Sequence, residues 1–366
     1  MMLRVAFRTD ASVQIGTGHV MRCLTLADAL RERGAECRFI CRPHAGNLLE
    51  LIRQRGHIAV PLPALEVPVE QLPATTAHSA WLGTDWAHDA QQTLKVLSDD
   101  VVDWLIVDHY ALEQGWEQTL RPSCRRMMVI DDLADRHHDC DLLVDQNLGR
   151  EAEDYTGLIP AQATCLIGPR YALLRPEFAQ LRGASLARRH SVEMKQLLIT
   201  MGGVDKDNAT GLVLQALEAC ALPQDLRITV VMGPYAPWLQ DVQAHAQRMP
   251  RTTQVLVGVS DMARLMAESD LAIGAAGGTA WERCCLGLPS VVLVLAENQL
   301  AGAEAFKAQG AAVYVQNIAD VESYLRGFFA SDDLFELLGR LGRAAAMVTD
   351  GQGIPRIMTE ILGTYE

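Results

Sequence analysis

The chain has 366 residues, 49% of them hydrophobic and 21% charged, with a formal net charge of −13. That length suggests two domains, and the acidic balance argues against nucleic acid as a bulk partner while leaving open an anionic ligand held by backbone N–H groups. Nine cysteines, including the adjacent pair Cys284 and Cys285 but no CxxC pair of zinc-like spacing, read as reduced core thiols of a cytoplasmic protein, and no apolar run reaches the roughly 18 residues of a membrane span.

In chain order, MMLRVAFRTD is too short and too alternating for a signal peptide; LRVAFRT (3–9) reads as a strand. GHVMRCLTLADALRERG (18–34) reads as a helix with Val20, Cys23, Leu24, Ala27 and Leu30 on one face and Gly34 at its C-terminal end. AECRFICR (35–42) and HIAVPLP (57–63) read as strands flanking a helix, AGNLLELIRQRG (45–56). DWLIVDHY (103–110), RMMVIDD (126–132) and CDLLVDQN (140–147) are further apolar strands. Such nearly continuous apolar strands alternating with helices imply a parallel sheet covered on both faces. Residues 63–89 are less regular; their WLGTDWAHDA holds two tryptophans that either pack a surface loop or face a ligand.

The stretch PEFAQLRGASLARRHSVEMK (176–195) carries a basic cluster and no strand, and is read as a linker dividing the chain into 1–185 and 186–366. A second α/β series follows, with strands at 196–203, 227–233, 253–258, 270–278, 290–298 and 311–315, and then C-terminal helices interrupted by DGQG (350–353). Two doubly wound parallel-sheet domains of similar size would set a cleft between the carboxyl ends of their sheets, where open α/β sheets bind ligands.

Three glycine turns carry the chemistry. Gly16-Thr17-Gly18-His19 links the first strand to the first helix, and its glycines let backbone approach a ligand closely. A helix N-terminus disfavours positive charge, so His19 there would stay neutral and able to accept a proton; the alternative is a histidine capping or packing under the helix. Gly202 and Gly203 could bring amides to a diphosphate, or form a tight turn with Asp205 as helix cap. In SDLAIGAAGGTAWERCCLGLPSVVLVLAENQ (269–299), Gly278 and Thr279 open a helix whose N-terminus can hold phosphate. Glu282 sits one turn in, able to accept two ribose hydroxyl hydrogens or to be a solvated helix residue, and Asn298-Gln299 ends the next strand. Jointly these parts are far more specific than any one. No acidic metal clamp accompanies them, so neither metal nor cofactor is expected.

This run, with VGVSDMARLMAESD (257–270), resembles the nucleotide-binding half of GT-B enzymes of the MurG type, which bind UDP-sugars. FRTDASVQIGTGHVMRCLTLADAL with LIVDHY, DDLADRHHDCDLLVDQN, GPRYALLRPEF, MGGVD and the closing DGQG are similar to the PseG family, UDP-2,4-diacetamido-2,4,6-trideoxy-β-L-altropyranose hydrolases of pseudaminic acid biosynthesis. The resemblance covers nearly the whole chain and is least clear over 60–90. It implies a GT-B fold with the catalytic base in the N-terminal domain and the UDP site in the C-terminal one. His19 would activate water, and Tyr110 and Asn298 would line the reacting end of the substrate. Glu282 would hold ribose, and backbone at Gly258, Val259 and Met262 would meet uracil. Gly202, Gly203, Gly278 and Thr279 would meet the diphosphate. Gly16, Gly18, Arg22, Asp108 and Gln299 complete the expected substrate-binding set, with Asp108 and His109 alternatively a hydrogen-bonded pair at a strand end.

The implied reaction is inverting water attack at C1 with UDP leaving, in a monomeric protein working away from membranes. Two rivals share the architecture: an inverting glycosyltransferase, in which an acceptor hydroxyl replaces water, and a non-catalytic nucleotide-sugar-binding subunit, which would not need His19, Tyr110 and Asn298 together.

Overall fold

The computed structural model describes residues 2–63, 78–98, 101–191 and 193–363. The chain forms two compact units, Met1–Leu173 with Ile354–Glu366, and Leu174–Gly353. The division thus falls before residue 176 rather than near 185, and the chain's end returns to the first unit.

The first unit runs β1 (Arg4–Thr9), α1 (Gly18–Glu32), β2 (Glu36–Cys41), α2 (Leu49–Gln54), β3 (Ile58–Pro61), α3 (Trp86–Val96), β4 (Val102–Asp108), α4 (Gln114–Leu120), β5 (Cys124–Ile130), β6 (Leu142–Asp145) and β7 (Thr164–Ile167). Its seven strands are parallel, in the order β3-β2-β1-β4-β5-β6-β7. Alternate residues of each strand feed opposite faces of the sheet. Val5, Phe7, Phe39, Trp104 and Ile106 pack under α1, while Ala6, Ile40, Leu105 and Val107 pack with Trp116 and Leu120 of α4. Both faces are dry, which explains why the strands read as unbroken apolar runs. The chain reverses direction across the sheet between β1 and β4, and that is where the loops after these two strands open.

The second unit begins with α5 (Pro176–Arg188), where a linker was expected. The basic cluster has a structural task. Arg182 donates to the carbonyls of Cys285 and Ala346, and Arg189 to those of Leu286, Ser269 and Met266. These carbonyls lie at or near helix C-termini, where orphan acceptors and the negative end of the dipole favour guanidinium groups. Ser185 Oγ adds a buried 2.8 Å bond to Leu286 O.

There follow β8 (Gln196–Thr200), α6 (Ala209–Glu218), β9 (Arg227–Met232), α7 (Leu239–Ala246), β10 (Thr252–Val257), α8 (Met262–Glu268), β11 (Leu271–Ala275), α9 (Thr279–Cys285), β12 (Ser290–Leu293), α10 (Leu300–Ala308), β13 (Val313–Val315), α11 (Val321–Phe329) and α12 (Leu334–Ala346). The sheet is parallel, in the order β10-β9-β8-β11-β12-β13, so the chain reverses between β8 and β11. The last helix, α13 (Gly353–Gly363), buries Ile354, Ile357 and Ile361 in the core of the first unit. Among the described residues no helix is long and apolar enough to cross a membrane.

Candidate active site

In the first unit, β1 and β4 are in register with Thr9 opposite Asp108, so the loop after β1 and the end of β4 meet. Gly16 has φ +81°, a left-handed conformation that a side chain would strain, and it turns the chain into α1. A side chain at Gly16 or Gly18 would meet nothing within 4 Å, so the backbone there borders open space.

His19 lies in the first turn of α1, and its Nδ1 is 2.6 Å from Asp108 Oδ1. A carboxylate only accepts, so Nδ1 carries the hydrogen and Nε2 presents a lone pair. The imidazole is buried at the first turn of α1 with its Nδ1 tied to Asp108. Asp108 is fully buried and also accepts from Arg22, through Nε to Oδ2 and Nη2 to Oδ1, both at 2.7 Å. Burial alone would push the Asp108 carboxyl up, but the Arg22 guanidinium and His19 hold it well below the usual carboxylate range. Both Asp108 oxygens are thus engaged within the chain, Oδ1 by His19 and Arg22 and Oδ2 by Arg22. Arg22 spans to a second carboxylate, with Nη2 2.7 Å from Asp132 Oδ2 and Nη1 3.0 Å from Asp132 Oδ1. Its guanidinium is committed to these two aspartates.

Tyr110 stands edge-on to His19, with ring centroids 4.6 Å apart. Its hydroxyl donates to Asp132 Oδ2 at 2.7 Å, and burial together with Asp132 pushes the phenol well above its ordinary value. It therefore acts as a hydrogen-bond donor and a wall. His109 turns the other way: its Nδ1 accepts from Ala111 N–H at 3.1 Å, and Nε2 faces Asp10 Oδ2 at 3.3 Å. It belongs to the buried Arg8–Asp10–Asp89–Arg42 network beneath the site, not to the His19 cluster.

The sequence reading missed Asp132, two residues past the end of β5 in VIDD, and missed the tie between Trp81 and Tyr110, whose rings stack at 5.5 Å. Acidic residues at the carboxyl edge of an apolar strand were the available signal for Asp132. Part of 60–90, residues 64–77, lies outside the described residues.

In the second unit, the loops after β8 and β11 lie side by side, because these strands are neighbours. Gly202 has φ +90°, and Gly202 and Gly203 are exposed. The turn is held by close backbone approach: a side chain at Gly233 would come within 1.9 Å of the Gly203 carbonyl oxygen. Asp205 accepts from the Ala209 and Thr210 amides at the start of α6, whose N-cap is Asn208. After β11, a side chain at Gly277 or Gly278 would meet nothing within 4 Å. Thr279 Oγ1 accepts from Arg283 at 3.1 Å.

Glu282 is a half-buried carboxyl, its side chain 17% exposed, with Oε1 3.8 Å from Arg175 Nη2. Burial pushes it up to about 7 against the opposing pull of Arg175. Arg175 also donates to Ser260 O, tying Glu282 to the loop after β10, which holds Gly258 (φ +62°) and Val259 before Met262 starts α8. Gln299 is turned inward, its Oε1 accepting from Leu295 N–H at 3.0 Å. Asn298 lies in the short turn Glu297–Gln299, and its side chain is outside what the structure describes. Among the described residues no group of His, Cys, Asp and Glu is arranged to hold a metal ion.

Residues 196–324 match the glycosyltransferase family 28 C-terminal domain. The chain is 27% identical over 298 residues to the UDP-2,4-diacetamido-2,4,6-trideoxy-beta-L-altropyranose hydrolase of Campylobacter jejuni, covering 81% of this chain and 93% of that protein. It is 26% identical over 302 residues to an uncharacterized protein of Methanocaldococcus jannaschii, MJ1062, covering 81% of this chain but only 56% of that longer relative. The crystal structure of MurG from Acinetobacter baumannii aligns over 99% of both chains with a TM-score of 0.68 at 17% identity. The chain is therefore a GT-B-fold protein with a glycosyltransferase family 28 C-terminal domain, related over most of its length to a nucleotide-sugar hydrolase of the PseG family.

Proposed function

We propose that the protein hydrolyses a UDP-sugar at its anomeric carbon, releasing UDP and the free sugar with inversion, and that its substrate is UDP-2,4-diacetamido-2,4,6-trideoxy-β-L-altropyranose. The observation that carries the chemistry is His19, fixed through Nδ1 by buried Asp108 at 2.6 Å, which leaves Nε2 as the acceptor of the neutral ring, next to the Gly16-Thr17-Gly18 turn. The identity of the sugar rests on the Campylobacter relative.

His19 Nε2 takes a proton from water as the water oxygen bonds to C1, and the C1–O bond breaks with its electrons passing to UDP. Positive charge develops at C1 in an oxocarbenium-like transition state. UDP leaves readily, so a base that orients water suffices without an obligatory general acid. The second unit holds the nucleotide: Glu282 accepts from ribose hydroxyls, the loop at Gly258, Val259 and Met262 meets uracil, and the turns at Gly202-Gly203 and Gly277-Gly278 offer amides to the diphosphate. Those amides also stabilise the charge that grows on the β-phosphate.

The rival is an inverting glycosyltransferase, favoured by the family 28 domain and the MurG likeness. The same His19 would then deprotonate an acceptor hydroxyl. Incubation with UDP-sugar alone separates the two: sustained UDP release supports hydrolysis, and release that waits for an acceptor supports transfer.

A further inference from the structure

The two tryptophans of WLGTDWAHDA have different tasks. Trp86, in the first turn of α3, packs against the backbone at Gly115 of α4, where even an added methyl would meet its ring at 3.3 Å. Trp81 sits in a short helical turn, Ser79–Leu82, anchored by buried Leu82. Its ring stacks on Tyr110 at 5.5 Å with an interplanar angle of 23° and stands edge-on to His19 at 6.3 Å. His78 leans on both, at 4.6 Å from Trp81 and 5.2 Å from Tyr110.

Tyr110 has little left to offer a ligand. It is 7% exposed, its hydroxyl is taken by Asp132, and the Arg136 guanidinium lies 5.9 Å from its ring centroid. Trp81, like His78, is only half-buried, so it retains exposed ring surface that Tyr110 lacks. A flat aromatic face binds C–H and methyl groups well and hydroxyl groups poorly, because it offers them no strong hydrogen-bond partner.

We propose that Trp81, backed by Tyr110 and His78, is the specificity-determining platform of the His19 site. It receives the face of a sugar in which hydroxyls have been replaced by hydrogen or acetamido groups, and it disfavours fully hydroxylated hexoses. This inference rests on the reading of His19 as the reacting end of a nucleotide-sugar site, but not on whether water or an acceptor hydroxyl attacks.

The test is made by calorimetric titration in a His19→Asn background, which slows turnover. UDP, UDP-glucose and the UDP-linked 2,4-diacetamido-2,4,6-trideoxy sugar are each titrated against Trp81, Trp81→Leu and Trp81→Phe. Loss of the flat face in Trp81→Leu should weaken the trideoxy sugar about tenfold, the scale of one aromatic contact. UDP and UDP-glucose should change little, and Trp81→Phe should retain most of the preference. Equal weakening of both sugars, or an unchanged preference in Trp81→Leu, overturns the proposal. UDP release by the His19-containing protein, followed in parallel, scores the hydrolase reading separately.

Discussion

His19 and Asp108 stand 89 residues apart in sequence and 2.6 Å apart in space, Nδ1 to Oδ1, and the adjacency of β1 and β4 brings them together. The consequence is that, in the neutral ring, Nδ1 carries the hydrogen and Nε2 is the acceptor. Among the described residues no hydrogen bond within the chain occupies that nitrogen.

Replacing His19 by Asn removes the proposed base and keeps a polar group in place. Turnover should fall on the order of 10²–10⁴-fold, the usual worth of a general base. UDP affinity should stay near normal, because the residues proposed to hold the nucleotide lie in the second unit. Steady-state UDP release and UDP titration on the same preparation check both halves. Near-normal turnover would return His19 to a packing role.

Asp108→Asn keeps the shape but can present an N–H to the imidazole and so permit the wrong tautomer. It also leaves Arg22 with one buried carboxylate partner fewer. Turnover should drop by roughly 10²-fold or more while KM moves little. Asp132→Asn, which keeps an acceptor for Tyr110 and Arg22, should be milder. A thermal melt separates lost chemistry from lost fold; full activity in Asp108→Asn would remove the dyad from the mechanism.

Glu282 carries a pH prediction. Its carboxyl is pushed up to about 7, so it becomes neutral as pH falls through that value. A carboxylate accepts two ribose hydroxyl hydrogens, whereas the neutral group loses acceptor capacity. UDP should therefore bind more weakly at pH 6 than at pH 8, with proton release on binding near pH 7. The β-phosphate of UDP titrates on the acid side too, so the measure is the difference from Glu282→Gln, in which the Glu282 component disappears. Glu282→Ala should weaken UDP on the order of 10²-fold, from hydrogen bonds worth roughly 1.5–3 kcal/mol each. An unchanged dissociation constant would count against the nucleotide site.

Every described strand but β7, and the three glycine turns, were legible because glycine punctuation and apolar periodicity are local signals. What met what was not. The partnership of His19 with Asp108 depends on strand order, and that of Arg22 with Asp132 spans 110 residues. Arg22 was expected in the substrate-binding set; its two carboxylate partners, Asp108 and Asp132, are visible only in three dimensions. The linker reading of 176–195 failed for a related reason. An arginine cluster resembles a solvated face, yet Arg182 and Arg189 serve carbonyls 77 to 164 residues away.

That last point carries a stability prediction. Arg189→Ala leaves the carbonyls of Leu286, Ser269 and Met266 without their guanidinium donor. It should cost about 2 kcal/mol in urea unfolding, with turnover per folded molecule unchanged. Loss confined to turnover would contradict the capping role.

The central claim is water attack at C1. Single-turnover reaction of the UDP-sugar alone in ¹⁸O water, read by mass spectrometry with the anomer fixed by NMR at early times, tests it most directly. The account predicts one ¹⁸O on C1 of the released sugar, inverted configuration and unlabelled UDP. Label in the UDP phosphate would contradict it by moving the attack to phosphorus, and absence of any release without an added acceptor would contradict it by making the protein a transferase.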